Sequence, residues 1–464
     1  MTAINDVLTW INSYLWGPPM LILLFGTHLY FTIRLRGIQR YTGLAVKLSI
    51  TKDPLCRGDV SQFGALTTAL AATVGTGNIV GVATAVALGG PGALLWVWLT
   101  GVFGIATKYA EALLAVKFRT HTDDGGVLGG PMCTIERGLG MKWLAVLFAI
   151  FTAIAAFGIG NMVQAHSITD LAQSTVGVQP YVLGLIMAAI VALVILGGVR
   201  SIARVSEFLA PIMAIVYVIG CLVILGHNIS AIPASLLLIF KSAFTGKAAA
   251  GGFAGSAILL AARYGVARGL FSNESGLGSA PIIAAAAQTR NAVRQGLVSS
   301  TGTFWDTVII CAITGLVLVN TGVWQSGHEG AAMTNAAFHT MPVVGPLVLT
   351  FGLFTFTFST ILGWSYYGER AMEYLFGKRA ITPYRVAWVG AVFLGAVSTM
   401  EVVWNFADTA NALMAIPNLV SLLLLSGIVI KETRTYLWSG KIDEVDSDLA
   451  EDPAEPTRKI INGE

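Results

Sequence analysis

Ala71-Ala72-Thr73-Val74-Gly75-Thr76-Gly77-Asn78 and Leu270-Phe271-Ser272-Asn273-Glu274-Ser275-Gly276-Leu277-Gly278-Ser279 each interrupt a long apolar stretch of the chain. Glycine pairs and small polar residues disfavour a continuous helix. Inside a bilayer an unwound backbone is tolerated only where it is buried in protein or lines a watery cavity. Small residues also serve plain close packing of membrane helices. Two breaks at corresponding places of two halves point instead to the substrate and ion site of a secondary transporter.

The composition fits a membrane setting. Hydrophobic residues make up 55% of the 464 and charged residues 11%, where a soluble domain carries about 25% charged residues. Mean hydropathy is +0.73. A net charge of +3 gives no basis for a nucleic-acid partner. Cys56, Cys133, Cys221 and Cys311 lie far apart and form neither a disulfide framework nor a zinc motif. Residues 1–8 lack Lys and Arg, so no signal-peptide n-region is expected and the first apolar span is retained.

Runs of about 20 apolar residues give about eleven expected spans. They fall near residues 10–33, 63–88, 92–116, 143–172, 181–197, 208–227, 252–287, 296–319, 343–376, 386–399 and 407–430. Residues 232–244 are too short to span and read as interfacial or re-entrant. Basic residues follow every second span: Arg34, Arg36, Arg40, Lys47, Lys52 and Arg57; Lys117, Arg119, Arg137 and Lys142; Arg200 and Arg204; Arg290 and Arg294; Lys378, Arg379 and Arg385; Lys431 and Arg434. Lys241 and Lys247 are a mild exception. Cytoplasmic loops hold the excess of Lys and Arg, so an external N-terminus and a cytoplasmic C-terminus are expected. The tail is acidic (Asp443, Glu444, Asp446, Asp448, Glu451, Asp452) and reads as disordered.

With the first span set aside, two groups of five remain, and the first helix of each is the broken one. An odd number of spans inverts the second group relative to the first. The expected organisation is an extra span and basic loop (1–62), a first repeat (63–232), an interfacial segment with a second repeat (233–437) and the tail (438–464).

Chemistry follows from the breaks. Free N–H groups at the start of a half-helix attract anions, which suits Thr76 and Gly77 to a carboxylate. Carbonyls freed around Ala71 and Val74 are hard oxygen donors suited to Na⁺. The second break offers carbonyls with Ser272, Asn273 and Ser275 to an ammonium, and Glu274 must face protein or water. Thr357, Ser359 and Thr360 supply hydroxyls in the ninth span, although such hydroxyls often bond back to their own helix. Thr360 and Trp364 share a face. Gln164 is an uncharged amide in the fourth span. Asp306, in the eighth, is either an ion-coupling carboxylate or a helix cap.

Gly89-Gly90-Pro91-Gly92-Ala93-Leu94-Leu95-Trp96-Val97-Trp98-Leu99-Thr100-Gly101 resembles a signature of the alanine or glycine:cation symporters. So do the run from Arg268 through the second break to Pro281, and Gly363-Trp364-Ser365-Tyr366-Tyr367-Gly368-Glu369-Arg370. The resemblance covers the chain up to about Leu437. Leu95, Val97 and His166 depart from the usual Phe, Met and Asn. The family resembles the leucine-transporter fold with one extra N-terminal span, an all-α polytopic membrane protein. The resemblance implies Na⁺-driven uptake, H⁺-driven in some members, of alanine, glycine and similar amino acids by a chain sufficient as a monomer in the inner membrane. It implies that Thr76, Gly77 and Asn78 meet the carboxylate and that Gln164, Asn273, Ser275 and Gly276 surround the ammonium. Leu277, Thr360 and Trp364 would shape the side-chain pocket. The Ala71 and Val74 carbonyls with Phe356, Ser359 and Thr360 would hold Na⁺.

A channel would use similar broken helices around a continuous pore. A membrane enzyme or electron carrier would need ligands such as paired histidines, and His28, His121, His166, His227, His328 and His339 show no haem-like pairing across spans.

Overall fold

The structure, a computed structural model, describes residues 2–51, 58–122, 126–245 and 254–446. Lys52, Cys56, Arg57, Lys247, Asp448, Glu451 and Asp452 lie outside them. The fold is α-helical, and a two-residue β-pair (Thr120–His121 with Val127–Leu128) sits in one loop.

The chain opens with α1 (Thr2–Leu15) and α2 (Pro18–Arg34), bent by 51°. The expected first span is therefore bent and not one continuous helix. Gly17 precedes two prolines that cannot donate to a continuous helix, so α2 starts afresh with proline in its first turn. A short α3 (Thr42–Ser49) leads to α4 (Gln62–Thr73), capped by the Ser61 side chain on the Gly64 amide. Next comes α5 (Gly77–Gly89), bent by 53° from α4. It is followed by α6 (Ala93–Lys117), α7 (Pro131–Leu139), α8 (Lys142–Gln173), α9 (Pro180–Ile195), α10 (Gly198–His227) and α11 (Ile232–Phe244).

The second half begins with α12 (Ala254–Asn273), runs non-helically to α13 (Pro281–Ala284) and continues as α14 (Ala292–Asn320). Then come α15 (Gly330–His339), α16 (Val344–Phe376), α17 (Ile381–Val397), α18 (Met400–Leu424) and α19 (Ser426–Thr433).

Among the described residues seven helices are long and apolar enough to cross a membrane, or nine with each bent pair taken as one. The sixteen-residue α9 and the α12–α13 segment stand outside that count, so the expected eleven is not reached by it.

The most enclosed window belongs to α6, 83% buried, against 39% for α10. Charges on α6 are therefore paired by protein or left without a partner. Short π-helical turns occur at Gly77–Gly81, Gly158–Met162 and Phe304–Cys311. Such turns shift the register of a helix face and recur at functional sites. Here each lies beside a residue singled out above: Asn78, Gln164 and Asp306.

Candidate functional site: the crossing of two broken helices

The two breaks touch. A Cβ at Gly77 would lie 3.1 Å from the Ser272 Cα and 3.1 Å from the Phe271 ring, so glycine lets one backbone lie on the other. A Cβ at Gly75 would lie 2.6 Å from Thr360 Oγ1 and 3.0 Å from Gln164 Oε1. Four segments therefore converge within one side-chain radius: both breaks, α8 and α16.

Hydrogen bonding shows how the first break releases its carbonyls. In a continuous helix the Gly75 amide would bond the Ala71 carbonyl. It donates instead to Asn78 Oδ1 at 2.9 Å, and the Asn78 amide turns to the Gly75 carbonyl at 3.2 Å rather than to Val74. The carbonyls of Ala71 and Val74 are thereby freed. Thr360 Oγ1 reaches both, at 3.2 Å each. Ala71, Val74 and Thr360 thus form a compact set of hard oxygen atoms of the kind Na⁺ prefers. Ser359 and Phe356 belong to the same helix, but the Ser359 hydroxyl is spent on the Phe356 carbonyl at 3.0 Å and faces Met213 Sδ at 3.4 Å. Thr357 likewise bonds back to Phe354.

The second break is held open by strained backbone and by a carboxylate. Glu274 has φ +56°, and Gly276 and Gly278 have φ +97° and +85°. A non-glycine residue in that region is uncommon and persists where its surroundings fix it. Trp364 Nε1 donates to Glu274 Oε1 at 2.8 Å, and the Ser279 hydroxyl donates to Oε2 at 2.5 Å. The amides of Gly276 and Gly278 leave the helical pattern and donate to Glu111 Oε1, at 3.0 and 3.1 Å. Asn418 Nδ2 donates to the same oxygen at 2.7 Å and to the Gly276 carbonyl at 2.9 Å. The Ser275 amide turns to Asn273 Oδ1 at 2.9 Å. The helical partners that the Ser275 and Gly276 amides abandon are the carbonyls of Phe271 and Ser272.

Asp306 ties the two breaks together. Its carboxylate accepts from Asn78 Nδ2 at 2.7 Å, Ser272 Oγ at 2.7 Å and Thr307 Oγ1 at 2.7 Å. Of the two roles the sequence leaves open, these three donors describe a brace across the crossing. Gln164 braces the first break from α8. Its Oε1 accepts from the Thr76 amide at 3.0 Å, and its Nε2 donates to the Ile159 carbonyl at 2.8 Å, which the π-helical turn exposes.

The whole centre is closed. Thr76, Asn78, Gln164, Asn273, Ser275, Leu277, Thr360 and Trp364 are each at most 1% exposed. Above it, Arg268 on α12 makes a bidentate pair with Asp408 on α18, at 2.6 and 3.2 Å. Its guanidinium lies 4.9 Å from the Trp404 ring, which stacks on Phe271 at 4.8 Å.

Several residues stand differently from their sequence-based assignments. The atoms of Asn78 and Gln164 just described are engaged within the protein, so both shape the break. Gly276 has its amide and carbonyl tied to Glu111 and Asn418, and a Cβ there would meet Leu24 and Leu419. These contacts tie it to the scaffold behind the break. Asn273 Nδ2 has no hydrogen-bond partner among the described residues, and the Ser275 amide fixes Oδ1 as the accepting end. Such a donor suits a carboxylate and not an ammonium. On the first break the Thr76 hydroxyl likewise has no partner among the described residues. Ser275 Oγ pairs with Thr303 Oγ1 at 2.9 Å.

Sequence reading missed Glu111, Lys108, Asn418 and the Arg268–Asp408 pair. The signal was present: a charge inside an apolar span marks a functional or structural centre by default. The expected disorder of the tail is corrected for residues 441–446. Arg294 Nη1 pairs with Asp443 Oδ1 at 2.5 Å, Asn291 Nδ2 donates to the Ile442 and Glu444 carbonyls at 2.9 Å each, and Lys117 meets Asp446 at 3.3 Å.

The chain matches the family described as the Sodium:alanine symporter family over residues 1–448. It is 51% identical over 437 residues to the sodium/alanine symporter AgcS of Methanococcus maripaludis, covering 92% of this chain and 96% of that one. It is 35% identical over 450 residues to YrbD of Bacillus subtilis, named as a candidate sodium/proton-dependent alanine carrier, covering 93% and 92%. Among solved structures, MhsT crystallised with L-phenylalanine is similar at a TM-score of 0.59 and 15% identity, over 84% of this chain and 94% of that one. That likeness extends to the fold.

Proposed function

Because the chain belongs to the sodium:alanine symporter family, whose members are multi-pass membrane symporters of amino acids with cations and not enzymes, we propose that it imports alanine and glycine with Na⁺ by alternating access. The observation that carries this reading is the pairing at one crossing of two unlike sets of groups. One set comprises the freed carbonyls of Ala71 and Val74 with the Thr360 hydroxyl, hard donors for Na⁺. The other comprises Thr76 Oγ1 and Asn273 Nδ2, donors without a partner among the described residues and suited to a carboxylate. Released carbonyls of Phe271 and Ser272 suit the ammonium of the same zwitterion.

In this reading the Gly77 backbone adds to the carboxylate site, Leu277 and Trp364 bound the side-chain pocket, and Phe356 and Ser359 close the ion site. The two breaks head inverted five-helix repeats over 63–232 and 233–437, behind the N-terminal unit 1–62. The chain lies in the inner membrane with an external N-terminus and a cytoplasmic C-terminus, and a single copy suffices. A proton-coupled variant is the second reading, favoured by one observation: Glu274 and Asp306 are buried carboxylates at the crossing.

Counterflow of labelled alanine in proteoliposomes tests the substrate class. Unlabelled glycine and alanine should compete, and valine and leucine should not. Trp364 packs its Cβ where a Gly160 side chain would be, 2.1 Å from that position, and anchors its indole on Glu274. Trp364→Ala should therefore admit valine and leucine while weakening alanine by about 1–3 kcal/mol. An unchanged ranking would remove Trp364 from the pocket, and no alanine counterflow would remove the proposed function.

A further inference from the structure

Against the second break, on one face of α6, lies a second polar cluster that the proposed transport site does not use. On α6, Gly101, Gly104, Lys108 and Glu111 fall on one face by three- and four-residue steps. Gly101 lies against Thr307, Gly104 against Ser275, and Glu111 accepts the amides of Gly276 and Gly278. Lys108 sits between them, 2% exposed, and its Nζ has no hydrogen-bond partner among the described residues. Two further buried atoms near it share that condition: Glu111 Oε2 and His28 Nε2. His28, on α2, donates or accepts through Nδ1 at 2.7 Å from Thr107 Oγ1, the residue before Lys108. Its Cε1 lies 3.8 Å from the Cβ position at Gly276. Glu111 and His28 therefore converge on Gly276, with Lys108 one turn from Glu111 on the same face of α6.

A buried ammonium without a counter-charge is strongly disfavoured, and buried polar atoms are satisfied by protein or by ordered water. Three donors on Glu111 Oε1 fit an ionised carboxylate. The other charged and titratable groups within Coulombic reach of Lys108 are Glu274 of the break and Asp306 of α14. Both already have neutral donors. The residues that α14 turns toward α6, such as Thr303 and Thr307, are uncharged, and so is Asn418 on α18.

We propose that Lys108, Glu111 and His28 form a water-bridged charge site that positions the second break during transport. This makes the N-terminal unit, through His28, part of the moving machinery. Lys108 is then a positioning residue: it holds Glu111 ionised, and Glu111 in turn holds the two amides whose departure from the helix opens the break. The transport consequence rests on the function proposed above.

The test is a cycle of wild type, Lys108→Met, Glu111→Gln and the double variant, reconstituted and matched for folded protein. Lys108→Met should lower the maximal alanine uptake rate at least tenfold with KM changed less than threefold. The charge-neutral double variant should regain at least a third of the wild-type rate. His28→Gln should fall between. A double variant as slow as the worse single, or a Lys108→Met rate equal to wild type, overturns the proposal. The same four proteins are melted in detergent without substrate, where the double variant should be more stable than Lys108→Met alone. Additive losses there overturn the charge pairing even if a single variant is too unstable to reconstitute. Failure of wild-type alanine uptake sinks the transport reading, and the melting cycle still decides the charge site.

Discussion

Gly75 is the residue on which the crossing depends most sharply. Its backbone is not in the left-handed region, so conformational freedom is not the reason for glycine. Space is: a methyl group would meet Thr360 Oγ1 at 2.6 Å and Gln164 Oε1 at 3.0 Å, both fixed by their own bonds. Gly75→Ala must displace one of them, and overpacking of this kind costs about 1–3 kcal/mol. If that cost falls on the transport cycle, Na⁺-dependent uptake should fall roughly five- to 160-fold per folded molecule. Gly26→Ala is the control, since nothing lies within 4 Å of its Cβ position. Equal uptake by the two variants would mean that the Thr360–Gln164 contact is not part of the site. At this scale the sequence was informative about residue type and less so about direction. The short runs named Thr360, Ala71 and Val74, which the structure brings together. They did not reveal that Asn78 and Gln164 spend those bonds inside the protein, because the partners, Asp306 and Ile159, are set by tertiary packing and a π-helical turn.

At the level of elements, both mid-membrane breaks were legible because glycine, serine and asparagine stand where a continuous helix needs apolar, helix-favouring residues. The third bend, between α1 and α2, is carried by Gly17-Pro18-Pro19 but hidden from hydropathy, since apolar residues flank it on both sides. The docking of residues 441–446 could not be read at all: an acidic run looks solvated until Arg294 and Lys117 are found beside it. The Arg268–Asp408 pair links α12 to α18 with side-chain exposures of 10% and 15%. Removing one partner leaves a poorly solvated charge, so Asp408→Asn should lower stability by about 1–3 kcal/mol, less than for a fully buried pair. The double variant Arg268→Gln/Asp408→Asn should lose less than Asp408→Asn alone. Thermal unfolding in detergent distinguishes the cases, and equal losses would show that the pair carries no coupling.

For the molecule as a whole, the alternation of basic loops supplies an orientation that the fold by itself does not. Ser326 and Thr51 are both exposed, whereas Ser49 is buried and unsuited to labelling. In a background free of native cysteines, a cysteine at Ser326 should react with an impermeant thiol reagent on intact cells, and one at Thr51 should react only after permeabilisation. The reverse pattern would invert the proposed topology. In the proposed function a Na⁺ site made of released carbonyls and one hydroxyl shares a crossing with the amino-acid site. Accumulation of labelled alanine in proteoliposomes under an imposed gradient tests it most directly. An inward Na⁺ gradient should drive accumulation, a pH gradient with Na⁺ absent should not, and Thr360→Val should require more Na⁺ for the same rate. Equal accumulation under a pH gradient without Na⁺ would rule out Na⁺ coupling at this site and transfer the coupling role to Glu274 or Asp306.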